Sequence, residues 1–152
     1  MICADIYGYF SATLSWASFM NVVRKKLPLV DDATNTAQWD EWYEMDIVAP
    51  IAKLRIKWTW NDQGWGNKQG AIRVLLMRDG QVLATQAIGG IAEHESTDNS
   101  ETIQEGDLID NSTCGDTLKF QYFIGGGGGH TLYIENAKVS VYSTSRAKSA
   151  RN

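Results

Sequence analysis

Residues 58–70 hold three tryptophans, three glycines, two asparagines and two glutamines around a single aspartate. Trp65 sits between Gly64 and Gly66. A loop tryptophan in such company suits a sugar. Its flat apolar face stacks on the C–H surface of a pyranose, and Asn61, Asp62, Gln63 and Asn67 offer paired hydrogen bonds to neighbouring hydroxyls. The competing reading is structural. Trp65 would cap a hydrophobic core while the polar side chains satisfy the loop backbone.

Five consecutive glycines, Gly125 to Gly129, lead into His130. Without side chains, such a loop can bring backbone amides close to a ligand, or simply connect two strands. A phosphate cradle is not expected, because no helical pattern follows and no Lys-Ser/Thr pair is present. His94 lies between Glu93 and Glu95. Two histidines and a carboxylate form a metal-ligand set by type, but their spacing matches no known site, so the metal ligands stay unassigned. Asp98, Asp107, Asp110 and Asp116 gather acids in loop sequence of the kind calcium uses, without EF-hand spacing. A solvated acidic stretch is the expectation, and no cofactor is expected beyond that calcium alternative. No nucleophile-elbow motif occurs, so binding rather than catalysis is anticipated.

These residues must be placed by strands. Leu54, Ile56, Trp58 and Trp60 alternate with Arg55, Lys57 and Thr59, the pattern of a half-buried strand. Ile72, Val74 and Leu76 mark another, and Asp79-Gly80 after it predicts a hairpin with a type I′ turn returning through Val82 to Ala87. Further runs lie at residues 39–48, 101–104 and 118–124, with two more around Leu132–Ile134 and Val139–Val141. Seven or eight short strands with no helical pattern between them predict an all-β fold, an antiparallel jelly-roll-type β-sandwich of about eight strands. Parallel α/β folds are excluded.

The N-terminal region reads differently. Residues 11–27 have helix-like apolar spacing, basic residues at Arg24, Lys25 and Lys26, and Pro28 just beyond. An amphipathic helix is predicted there, followed by a polar linker over residues 31–36. The expected organisation is an N-terminal extension (1–36), a sandwich (37–143) and a disordered basic tail (144–152).

A length of 152 residues fits one domain with an adequate core. The net charge of −4 argues against a nucleic-acid partner. No apolar run is long enough to span a membrane. The N-terminus has the wrong charge order for a secretory signal. Cys3 and Cys114 are expected to be free thiols, which favours a cytoplasmic location.

The order of aromatic and alternating segments at Trp39–Ile47, Lys53–Met77, Leu118–Ile124 and Leu132–Val141 resembles the galactose-binding-like jelly rolls. That superfamily includes discoidin-type domains, carbohydrate-binding modules and the glycoprotein-binding domain of sugar-recognising F-box proteins. The resemblance covers roughly residues 37–143 and implies a mostly non-catalytic module. Such modules bind glycans, phospholipid heads or protein partners through loops at one end.

The expected function is therefore a non-enzymatic, lectin-like module whose partner is a glycan or glycoprotein, with Trp65, Asn61, Asp62, Gln63, Asn67, His94 and His130 as ligand-binding residues. The first alternative is a structural or assembly subunit. It would make protein–protein or homo-oligomeric contacts through its N-terminal segment (Trp16, Phe19, Met20, Val23) and a sheet face. The second is a small glycan hydrolase recruiting acids such as Asp62, Glu93 and Glu95.

Overall fold

The structure, a computed structural model, describes residues 20–34 and 36–144. It contains nine strands: β1 (Met20–Lys26), β2 (Val30–Thr34), β3 (Trp39–Asp46), β4 (Ile51–Asp62), β5 (Ala71–Arg78), β6 (Gln81–Ile91), β7 (Thr97–Ile103), β8 (Thr117–Phe123) and β9 (His130–Thr144). One four-residue helix, α1 (Asp107–Asp110), lies between β7 and β8. One sheet runs β1-β9-β4-β7, with β2 also on β9, and the other runs β3-β8-β5-β6. All the pairings are antiparallel. Apart from β1–β2 and the β5–β6 hairpin, every connection crosses from one sheet to the other. This is the interleaved order of a jelly roll.

The core lies between the sheets and follows the alternation. Leu54, Ile56, Trp58 and Trp60 of β4 face Ile72, Val74 and Leu76 of β5 and Leu118 and Phe120 of β8 across it, all of them buried. Trp58 and Trp60 meet edge to face, with centroids 5.5 Å apart, a favoured aromatic geometry. Trp58 leaves no room at Gly89, where a Cβ would fall 2.1 Å from its ring. The predicted hairpin is present, with positive φ at Asp79 (51°) and Gly80 (75°), as a type I′ turn demands.

The N-terminal expectations need correction. Residues 20–26 form strand β1, not the end of a helix, and residues 30–34 form β2, not a linker. Both pair with β9 at successive stretches, Met20–Lys26 against Lys138–Thr144 and Val30–Thr34 against His130–Ile134. They are one edge strand broken by Leu27-Pro28-Leu29. The break sits opposite a bulge in β9. Between Lys57↔Lys138 and Thr59↔Glu135, β9 carries one extra residue, and Asn136 there has φ 54°. Asparagine tolerates that left-handed conformation better than other non-glycine residues. Leu27 N–H still reaches the Ala137 carbonyl at 2.9 Å, and the Trp42 indole N–H donates to the Pro28 carbonyl at 2.9 Å. β9 is also one 15-residue strand rather than the two runs expected. The sandwich therefore includes residues assigned to the extension. Residues 1–19, with Trp16 and Phe19, and the tail from 145 lie outside the described residues, as does the side chain of Met20.

Candidate functional site

The jelly-roll order sends four connections to one end: β2–β3, β4–β5, β6–β7 and β8–β9. The two glycine-rich segments singled out in the sequence thus meet, together with the His94 loop. Short contacts join them in a chain. A Cβ on Gly126 would lie 2.8 Å from the Ala37 side chain, so the β8–β9 and β2–β3 connections touch. The Gly126 N–H donates to Gln69 Oε1 at 3.0 Å, linking the β8–β9 and β4–β5 connections. Asp62 N–H donates to the Glu93 carbonyl at 2.9 Å, and the Lys68 ammonium pairs with Glu93. Those bonds bring in the β6–β7 connection.

Trp65 does not cap the core. It is 63% exposed. Its ring lies across Gly129, where φ is +74° and a Cβ would come within 2.8 Å of the indole. Glycine is required there twice over, by the backbone conformation and by the approach of the ring. Packed against backbone, the indole is held in place while much of its surface faces solvent.

The polar residues separate into those already engaged and those available. Asp62 continues the inward alternation of Trp58 and Trp60, and its side chain is 1% exposed. One carboxylate oxygen, Oδ1, accepts from the Gly64 N–H at 2.8 Å and bonds His94 Nδ1 at 2.7 Å; the other, Oδ2, is buried without a partner among the described residues. Gln63 donates to the Trp65 and Asn67 carbonyls at 2.7 and 3.0 Å and accepts from the Thr131 N–H at 3.3 Å. Asn61 donates to the Asp62 carbonyl at 2.9 Å. His130 follows the inward register of Leu132 and Ile134 and is buried under Gly125, with Nδ1 unpartnered among the described residues. These four build the loop end and do not present a ligand face. Asn67 is exposed, with no side-chain bond among the described residues. His94 is about one-third exposed. The solvent-facing set is Trp65, Asn67 and His94. Gln69, which ties two loops together, was not singled out from the sequence. Only its place between two glycine-bounded segments hinted at it.

The opposite end gathers the β3–β4, β5–β6 and β7–β8 connections. Arg78 grips Asp116 through two bonds, Nε to Oδ1 at 2.7 Å and Nη2 to Oδ2 at 2.9 Å, and donates to the Asn111 carbonyl at 2.9 Å. Asp116 is buried, which by itself raises its pKa. Bonds from Arg78 and from the Thr113 backbone, with the Arg78 charge, outweigh that and hold the carboxyl below its ordinary range. Ser112 Oγ receives the Ile51 N–H at 2.8 Å. Cys114 in this loop is disulfide-bonded, not the free thiol expected, and Cys3 lies outside the described residues. The acids of residues 98–116 do not converge. Asp98 Oδ1 accepts from Thr59 Oγ1 and Asp116 is held by Arg78. Among the described residues no group of three or more His, Cys, Asp or Glu side chains is placed to hold a metal ion. No helix among the described residues is long and apolar enough to cross a membrane.

No protein-family model matches this chain, and no curated protein matches it. Solved structures do. The chain is similar to a chain of the infectious bursal disease virus Gt strain at TM-score 0.60 and 12% identity, over 95% of this chain and 42% of that one. It is also similar to the D431N mutant VP2 protein of that virus, from derived T=1 particles, at TM-score 0.61 and 13% identity, over 92% of this chain and 35% of that one. A CBM4 structure aligns at TM-score 0.43 and 13% identity, over 83% of this chain and 80% of that one. The chain spans less than half the length of the viral chains it matches. At these identities the likeness concerns fold, and what this chain shares with the viral proteins is the antiparallel jelly-roll β-sandwich.

Proposed function

We propose that this protein is a non-enzymatic binding module that recognises carbohydrate through the glycine-rich end of its sandwich. The observation that carries the reading is Trp65, exposed and seated on Gly129. An indole fixed against backbone loses little side-chain freedom when a sugar stacks on it. Asn67 near it has an exposed amide, and glycines around it keep the approach open. The resemblance to galactose-binding-like modules belongs to the same reading, since modules of that kind bind through loops at one end.

The test is a glycan-array screen of the whole chain, followed by titration calorimetry with any hit. Covering about 80–100 Å² of apolar ring surface at ~25 cal/mol/Å² contributes about 2 kcal/mol, so Trp65→Ala should weaken binding roughly thirtyfold. Its circular dichroism and melting temperature should stay close to wild type. A variant that binds equally well, or a chain that binds no glycan, removes the reading.

A second reading is a structural subunit. It is favoured by the viral fold neighbours, one of them from derived T=1 particles. Leu29, Val48 and Val82 are also 69%, 54% and 52% exposed, away from the Trp65 loop. Sedimentation velocity checks it: a concentration-dependent oligomer that Val48→Lys or Val82→Lys dissolves supports assembly, and a monomer at all concentrations rejects self-assembly.

A further inference from the structure

The pairing of His94 with Asp62 does more than fasten one loop to another. Nδ1 of His94 lies 2.7 Å from Asp62 Oδ1, and Asp62 is buried. A carboxylate offers only acceptor oxygens, so the contact is complementary to an imidazole that donates from Nδ1. In the neutral ring this places the lone pair on Nε2. No group among the described residues bonds Nε2, nor is it a buried atom lacking a partner, so it faces solvent. A carboxylate behind an imidazole fixes both tautomer and ring orientation. Here that carboxylate is itself fixed, by the Gly64 N–H at 2.8 Å and by the Asp62 N–H bond to the Glu93 carbonyl at 2.9 Å. The imidazole is therefore aimed from the same short stretch of backbone that carries Trp65.

We propose that His94 is the hydrogen-bond acceptor of the glycine-rich end, with Asp62 as its positioning residue, and that Nε2 accepts a hydrogen bond donated by a ligand hydroxyl. This rests on the carbohydrate reading and sharpens it. Trp65 supplies contact area to an apolar C–H face of the sugar. A single aimed acceptor discriminates between sugars that do and do not place a hydroxyl in front of it. The Asn67 amide, which can donate or accept, complements it.

Two measurements test this on the full chain. Long-range ¹H–¹⁵N correlation spectra of the imidazoles, recorded where His94 is neutral, should show His94 with Nδ1 protonated and Nε2 bare. Asp62→Asn should let the other tautomer appear, which a purely structural Asp62 would not do. A His94 carrying its proton on Nε2 overturns the proposal whatever the binding data show. The second measurement is calorimetry with methyl glycosides of glucose, galactose, mannose and N-acetylglucosamine. His94→Phe should weaken the best of these roughly three- to tenfold, the range of one net hydrogen bond. His94→Gln, which offers an amide oxygen, should recover part of the loss. If Trp65→Ala loses binding while His94→Phe matches wild type, the acceptor role is wrong and the carbohydrate reading stands. If no glycoside binds the wild type, both fall and the His94–Asp62 pair is a loop fastener only.

Discussion

The two ends of the sandwich each bury one aspartate and close around it in different ways. At one end Asp116 is gripped by Arg78, a partner that is always charged, with Thr113 adding two further donors. At the other, Asp62 meets His94 and one backbone N–H, and one of its oxygens is left without a partner among the described residues. The Arg78 end is saturated with bonds and carries the disulfide-bonded Cys114. The glycine-rich end is held by backbone and amide bonds, presents an exposed indole, and leaves one imidazole nitrogen without a partner among the described residues. A buried carboxylate with an arginine fixes structure. A buried carboxylate with a histidine fixes structure and also orients a group that can meet something else.

Replacing each carboxylate should break this contrast most visibly. Asp116→Asn removes charge-assisted bonds and should cost about 2 kcal/mol of stability, seen in urea denaturation. Because Asp116 titrates below its unfolded value, its contribution is present above about pH 4. It disappears as pH falls through the depressed folded value. Denaturation midpoints measured from pH 6 down to pH 2 should therefore drop more steeply in wild type than in Asp116→Asn. A parallel decline would mean that Arg78 contributes nothing net.

A smaller effect is expected at Gly129. Gly129→Ala places a Cβ against the Trp65 ring at a left-handed φ and should cost about 1–2 kcal/mol. The indole must also move, so the glycan binding proposed above should fall along with stability. Unchanged binding would show that the seat under Trp65 is irrelevant.

The smallest effect concerns Tyr122, whose hydroxyl donates to Asp32 at 2.9 Å and so joins the two sheets near the glycine-rich end. Burial, then the Asp32 bond and nearby negative charge, push its pKa up to about 12. The raised value means that its stabilisation is complete below about pH 10 and is lost as pH rises through about 12. Absorbance titration at the phenolate band should show a late-ionising tyrosine that vanishes in Tyr122→Phe, with a stability change of about 1 kcal/mol or less.

Much of this fold could be read from alternation alone. The burial of Leu54, Ile56, Trp58 and Trp60, the Asp79-Gly80 turn, and the β5 and β8 runs all follow from a period of two and one turn motif. The edge strand could not be read that way. Arg24-Lys25-Lys26 before Pro28 imitates a helix end, and what overrides it is pairing with a strand more than a hundred residues away, which local pattern does not encode. The site was half legible. That the two glycine-rich loops meet follows from the strand order and not from their spacing in sequence. The inward direction of Asp62 and His130 was available in principle, as each extends the register of its strand beyond Trp60 or Leu132. Polar type at those positions pointed toward a ligand instead. That Gln63 is consumed by backbone groups depends on loop geometry that no periodicity carries.

The exposure of Trp65 has an optical consequence. Trp42, Trp58 and Trp60 are buried, so their emission is shielded from dissolved quenchers, while that of Trp65 is open to acrylamide or iodide. A molecule settling on that ring would shield it in turn. Trp39 is half-buried and Trp16 lies outside the described residues, so the Trp65 signal is isolated as the difference in quenching between wild type and Trp65→Phe, and a loss of that difference on adding a glycan would report cover on this ring.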